Sequence, residues 1–173
     1  TTTTNNIGNV NPNWIGGVNN SFRYKNLTFN FLIDIKQGGN VFSLDQYYGG
    51  ATGVLAESAA LNDKGNPSRN SIADGGGVIM PGVKADGTKN DIRVENDYGT
   101  YGYAYNPAAA FVYDASYIKL REANIVYSLP SSIVRKLGGV KGVDLSVFGR
   151  NLWIIQKFVP YSDPEENLSS GNI

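Results

Sequence analysis

The chain contains no cysteine, no histidine and a single methionine in 173 residues. Without cysteine there is no disulfide scaffold and no thiol chemistry, and without histidine the commonest acid/base group and metal ligand is missing. A Gly-rich phosphate loop, a nucleophile elbow and a catalytic carboxylate pair are also absent, so the sequence does not read as an enzyme and calls for no cofactor. Charge of one sign is not in excess either: fifteen basic residues balance fifteen acidic ones, which leaves no electrostatic footprint for a nucleic-acid partner. No apolar run approaches the roughly 20 residues of a helical membrane span. The opening Thr1 to Asn6 lacks the charged and apolar regions of a signal peptide. A membrane role is therefore open to this chain only through β-strands.

What is abundant points the same way. Twenty-one Gly and 11 Tyr, with many Asn, favour strands and turns over helices. Residues Leu27 to Ile35 read L-T-F-N-F-L-I-D-I, with Leu27, Phe29, Phe31, Ile33 and Ile35 at every odd position and Thr28, Asn30 and Asp34 between them. Successive strand side chains point to opposite faces, so this is a strand with one apolar and one polar face. Just before it, Trp14, Val18, Phe22 and Tyr24 share a face opposite Asn19, Ser21 and Arg23, and only Lys25 and Asn26 separate the two runs. Residues 13–37 are expected to form an antiparallel hairpin whose arms have the length of tilted transmembrane strands, after a lead-in over 1–12. Trp14 at one end and Phe22 with Tyr24 at the other stand where aromatic girdles meet the two headgroup layers.

From 38 to 113 the alternation stops, and this stretch holds 13 of the 21 Gly and seven of the 11 Tyr. An excursion of that length is usually functional. Asp86-Gly87 centres a small local hairpin within it. Tyr98, Tyr101, Tyr103 and Tyr105, with Tyr47 and Tyr48, form a Tyr/Gly-rich set suited to touching a substrate or a lid protein, or to packing within the loop itself. Two further strands are expected over 114–157. In the first, the phase slips by one residue near Glu122, which a β-bulge would repair. A turn with a short helical stretch covers 130–142, opened by Pro130-Ser131-Ser132 and closed by Gly138-Gly139. In the second strand Leu145, Val147 and Trp153 share a face opposite Asp144, Ser146 and Arg150. Residues 158–173 read as a further loop.

Connections thus alternate between short or moderate and very long, as in outer-membrane barrels with short periplasmic turns and long extracellular loops, so 38–113 and 158–173 are expected as extracellular loops and 130–142 as a periplasmic turn. The expected fold class is all-β: antiparallel strands forming part of the wall of a large transmembrane barrel. On that reading Trp14, Val18, Phe22, Leu27, Phe29, Phe31, Ile33, Ile35, Leu145, Val147 and Trp153 face the lipid bilayer, and Asn30, Asp34 and Arg150 face the lumen. The charges on polar faces or near strand ends, which include Lys36, Lys119, Arg121 and Asp144, are expected to pair across strands or stay hydrated. Asp86, Asn90 and Asp91, or Asp163, Glu165 and Glu166, offer oxygen ligands for calcium, but turn chemistry explains both groups without a metal.

Four strands cannot close a barrel, so neighbouring wall is expected outside this stretch. Several blocks in order carry a resemblance: Leu27 to Phe31 running into Ile35 to Ser43; Gly82-Val83 with Asp86-Gly87-Thr88; Ala115 to Arg121 with Tyr127 to Pro130; Gly149 to Leu152; and Asp163-Pro164-Glu165. Together they resemble the C-terminal end of the SusC/RagA family of TonB-dependent outer-membrane transporters. The resemblance implies a nutrient importer for glycans or peptides in the cell outer membrane. Its partners would be the remainder of the same barrel and plug, a SusD-like lipoprotein lid, and TonB through an N-terminal part absent here. The family's last strand is likewise without a counterpart at Ser170 to Ile173.

Two other readings compete. A secreted soluble β-domain could bind carbohydrate through its Tyr-rich loop, and a barrel-type protein could be a structural subunit of a surface complex. Burial separates the first from the barrel, because a soluble domain must cover Phe29, Phe31, Leu145 and Val147, at roughly 1.5–3 kcal/mol each.

Overall fold

The structure is a computed structural model, and it describes residues 5–165. Among the described residues ten elements succeed one another: β1 (Trp14–Tyr24), β2 (Leu27–Gln37), β3 (Asn40–Phe42), α1 (Leu44–Thr52), β4 (Val78–Ile79), β5 (Arg93–Val94), β6 (Val112–Asp114), β7 (Tyr117–Ser128), α2 (Ser131–Val134) and β8 (Asp144–Lys157), with short 3-10 turns between. The four long strands form one sheet in the order β1-β2-β7-β8. The chain divides into two compact units, one comprising residues 8–41 and 113–165 and the other built on residues 42–112.

In the first unit every neighbouring pair of long strands is antiparallel. The β1–β2 turn is only two residues, with Lys25 in the left-handed region at φ 52°, and Asn26 braces it by donating its side-chain amide to the Ser128 carbonyl at 2.9 Å. Trp14, Val18 and Phe22 stand opposite Gln37, Ile33 and Phe29. Phe29, Ile33 and Ile35 stand opposite Ile125, Leu120 and Ile118. Tyr127, Ile125 and Leu120 meet Leu145, Val147 and Trp153. The apolar runs of all four strands therefore share one face.

That face is open. Val147 is 76% exposed, Trp153 63%, Leu145 59% and Phe29 37%. Rings cluster on it without being covered: Phe22 stacks on Phe31 at 6.1 Å, and Phe29 lies 5.6 Å from the same ring. The core of this unit sits instead at one end of the sheet, where Val41, Ala115 and Val159 are buried together with Tyr113 packed against them.

The register shifts where the sequence phase slips. Leu32 opposes Glu122 but Ile33 opposes Leu120, so Arg121 is the extra, bulged residue of β7. Opposite it β8 bulges too, at Asn151, with φ 49°. A bulge re-aims the side chains beyond it, and here it keeps Ile118, Leu120, Ala123, Ile125 and Tyr127 on the apolar side while Arg121 turns to the polar one. The two outer strands, β1 and β8, have no further strand beside them among the described residues. Eleven and fourteen residues of ladder edge left bare are an aggregation hazard in a finished protein and a joining surface in a piece of wall.

Among the described residues the second unit carries no long strand. Ser43 caps α1 by accepting from the Gln46 amide at 3.2 Å, with Asp45 in the first turn. The helix ends at Gly53, left-handed at φ 72°. β4 and β5 pair over two residues each, and the Asp86-Gly87 turn is present as a bridge between Val83 and Lys89. There the Asp86 carboxylate accepts from both the amide and the hydroxyl of Thr88, which holds it below the usual carboxylate range.

Candidate functional site

The tyrosines of the 42–112 unit are brought together by helix capping and by two close backbone approaches. α1 presents Tyr47 and Tyr48, and the segment after Asp97 returns alongside it, with the Gly99 amide donating to Ala51 at 3.0 Å and the Tyr103 amide to Tyr47 at 3.3 Å. A Cβ on Gly50 would fall 2.2 Å from the Tyr101 carbonyl oxygen, and one on Gly102 2.2 Å from the Ala51 nitrogen. Both positions require glycine because the neighbouring atoms are backbone.

That closeness sets the rings. Tyr47 stacks on Tyr103 at 4.9 Å, Tyr48 meets both at 5.0 and 5.6 Å, and Tyr98 joins edge-on at 6.4 Å. Phe42 and Phe111 back Tyr47 at 5.3 and 5.2 Å. The Tyr98 and Tyr103 hydroxyls share a hydrogen bond of 2.6 Å, which raises the Tyr103 phenol above its ordinary pKa. Four of the six tyrosines singled out in the sequence thus form one platform, on which Tyr48 and Tyr98 remain more than half exposed. Tyr101 points elsewhere, into a cavity of about 750 Å³ lined also by Asn62, Ile79, Met80 and Asp91. Burial pushes its phenol pKa up. Tyr105 is 72% exposed and outside the ring cluster.

The walls of this unit are pinned by polar side chains. Asn62 donates to the Gly75 and Gly77 carbonyls and accepts from the Lys64 and Asn66 amides. Arg93 holds the Asp63 carboxylate at 2.5 and 2.7 Å and thereby lowers its pKa. Neither calcium candidate forms a metal-holding group among the described residues. Asp86 serves its turn, Asn90 binds the Met80 carbonyl and the Ile92 amide, and Asp91 pairs with Lys84 at 3.1 Å. Glu166 of the second candidate lies outside the described residues.

On the sheet, Asn30 and Asp34 point to the side opposite Phe29, Phe31 and Ile33, and Arg150 stands on that same polar side opposite Glu122, paired at 3.2 Å. This side is not uniformly polar: Ile15 and Phe148 lie on it, and Arg150 covers the Phe148 ring at 5.1 Å. The densest feature of the sheet is not visible as a unit in the sequence. Arg121 bonds both Asp34 and Glu165, and Lys119 bonds Asp163 at 2.5 Å and Glu165 at 2.6 Å. The Arg121 guanidinium, Lys119 and the Tyr117 hydroxyl pull the Glu165 carboxyl down to about 2. A signal is present all the same: Lys36, Lys119 and Arg121 gather at one strand end against the single carboxylate of Asp34, a surplus of cations that calls for carboxylates from elsewhere.

An antiparallel sheet with one exposed apolar face, one largely polar face and, among the described residues, two unpaired edges, together with a long structured excursion, has the architecture of a section of β-barrel wall with its loop. No family model matches the chain. It is similar to TonB-dependent receptor P3 of Formosa agariphila, 28% identical over 167 residues, which are 96% of this chain and 14% of that protein. TonB-dependent receptor P26 of the same organism is 28% identical over 166 residues, 92% of this chain and again 14% of the relative. Among solved structures, chains of the RagAB peptide importer in its closed-closed and open-open states superpose with TM-scores of 0.53 and 0.52 at 16% identity, covering 90% of this chain and 15% of theirs. The chain therefore resembles a segment of SusC/RagA-type TonB-dependent transporters, as its sequence blocks imply, and it spans 14% of the length of the curated relatives it matches.

Proposed function

We propose that this chain is a section of the wall and external loop of an outer-membrane TonB-dependent importer that takes up glycans or peptides beneath a SusD-like lipoprotein lid. The observation that carries the reading is the uncovered apolar face. Eleven- to fourteen-residue strands with Val147, Trp153, Leu145 and Phe22 exposed match the lipid-facing band of a barrel, whereas a soluble domain would cover them. Trp14, Val18, Phe22, Leu27, Phe29, Phe31, Ile33, Ile35, Leu145, Val147 and Trp153 then face lipid, and Asn30, Asp34 and Arg150 face the lumen. Residues 38–113 lie outside the cell, where the platform of Tyr47, Tyr48, Tyr98 and Tyr103 offers flat apolar surfaces with polar tips to a substrate or to the lid. The moving parts, plug and TonB contact, belong to the rest of the polypeptide. The test is uptake by cells carrying the full-length receptor as their only route for its substrate. Uptake should stop when the proton-motive force is dissipated, and uptake that persists without it overturns the reading.

A further inference from the structure

Residues 158–165 leave the end of β8 and do not run outward. Val159 is 1% exposed and buried with Val41 and Ala115. The chain then turns through Tyr161, left-handed at φ 59°, with Lys157 Nζ donating to the Ser162 carbonyl at 2.7 Å. Beyond the turn Pro164 is fully buried, and Asp163 and Glu165 come down on the polar side of β2 and β7.

We propose that this segment is a strap locked across the polar face of the wall by an ionic latch, narrowing the mouth of the barrel from within. The latch is built from both sides. The wall contributes Asp34, Tyr117, Lys119 and Arg121, and the strap contributes Asp163 and Glu165. Lys119 is 2% exposed, a cation that is costly to bury unless it is paired, and among the described residues its two carboxylate partners both come from the strap. Arg121 spans the joint, with its Nη2 on Asp34 and also 2.7 Å from Glu165 Oε1, and its Nη1 2.8 Å from Glu165 Oε2 and from Asn151 Oδ1. The Tyr117 hydroxyl lies 2.9 Å from Glu165 and 3.2 Å from Asp34, and donates to one of them at a time. Lifting the strap would strip Lys119 of both these counter-charges and leave Arg121 with one carboxylate, Asp34, beside its neutral partners Asn151 and Tyr117, so the closed position is strongly preferred. The bulge at Arg121 has its use here, since it turns that guanidinium to the same side as Lys119 and Asp34.

The narrowing rests on the reading that the polar face lines the lumen, while the latch rests on geometry alone, and one experiment separates the two. This chain has no cysteine, so Ser162→Cys in the full-length receptor, with any cysteines elsewhere replaced, gives a single site for a nitroxide spin label. In outer membranes the label should be motionally restricted. Asp163→Asn with Glu165→Gln, which keeps side-chain volume and lies off the strands, should free it, with tumbling at least about fivefold faster, as for an untethered loop. Lys119→Met should do the same, and Glu122→Gln, which breaks only the Arg150 pair, should not. A label already mobile beforehand, or equally restricted after both carboxylates are neutralised, overturns the latch. A label at Asn30→Cys that responds to dissolved oxygen rather than to a water-soluble nickel chelate overturns the lumenal placement, and with it the narrowing.

Discussion

Placing lysine at Phe31 and, separately, at Asn30 tests the facing of β2 one residue apart. Phe31 is the fifth of the eleven residues of β2, close to the middle of the strand, and so to the middle of the apolar band if the strand spans it. Its ring stacks on Phe22 and touches Phe29. A lysine there loses ring contacts worth roughly 0.5–1.5 kcal/mol and puts charge in hydrocarbon at roughly 2–4 kcal/mol. The sum is about 2.5–5.5 kcal/mol, which at 1.4 kcal/mol per tenfold is a shift of roughly two to four decades in the assembly equilibrium. Asn30 lies opposite Ser21 and Asn124, where a lysine should change stability by no more than about 0.5 kcal/mol. The assay is the fraction of full-length receptor in the outer membrane that runs as a compact, heat-modifiable band. Phe31→Lys should abolish most of that band and Asn30→Lys should leave it. Equal tolerance at the two positions, or the reverse order, would refute the facing.

The remaining predictions concern the loop and the latch. Gly102→Ala places a Cβ against the Ala51 backbone and, as an overpacked site, should destabilise the loop by at least about 1–3 kcal/mol. Limited proteolysis within 42–112 should then accelerate while the heat-modifiable band is kept. Tyr48→Ala and Tyr98→Ala should each weaken binding of substrate or lid by about 0.5–1.5 kcal/mol, a roughly two- to tenfold rise in Kd measured by titration on the purified full receptor. Glu165 has its carboxyl lowered from 4.5 to about 2, so its stabilising effect is complete above its unfolded pKa and fades as pH falls from about 4.5 through 2. The Tm difference between the parent receptor and Glu165→Gln should accordingly stay constant from pH 8 to 5 and shrink below that.

The legible parts of this fold are those governed by a period of two. Leu27 to Ile35 displays its facing in its own alternation, and the slip near Glu122 emerges in the register as a bulge at Arg121. Most of the blocks that resemble the transporter family lie on the long strands or on segments next to them, while Gly82-Val83 with Asp86-Gly87-Thr88 lies on the small turn of the 42–112 unit. The hidden parts depend on groups far apart in the chain. The Tyr platform exists because Gly50 and Gly102 let two backbones meet, and glycines spaced about fifty residues apart carry no local sign of that approach. Nor does L-D-Q-Y-Y-G-G-A-T announce a helix. α1 forms on a Ser43 cap and a left-handed Gly53, despite two glycines inside it, because tertiary packing overrides propensity. Asp163 and Glu165 read in sequence as turn residues or metal ligands. Their partners lie 44 and 46 residues away on β7, beyond the reach of any local pattern.

The most direct measurement is collision accessibility of single spin labels placed in turn at positions 27 through 35 of the full receptor in outer membranes. A strand with lipid on one side and a wet lumen on the other should give an oscillation with a period of two: oxygen accessibility peaks at 27, 29, 31, 33 and 35, and nickel-chelate accessibility peaks at the positions between. A flat profile, or one in which the odd positions are shielded from both probes as in a covered protein core, would contradict it.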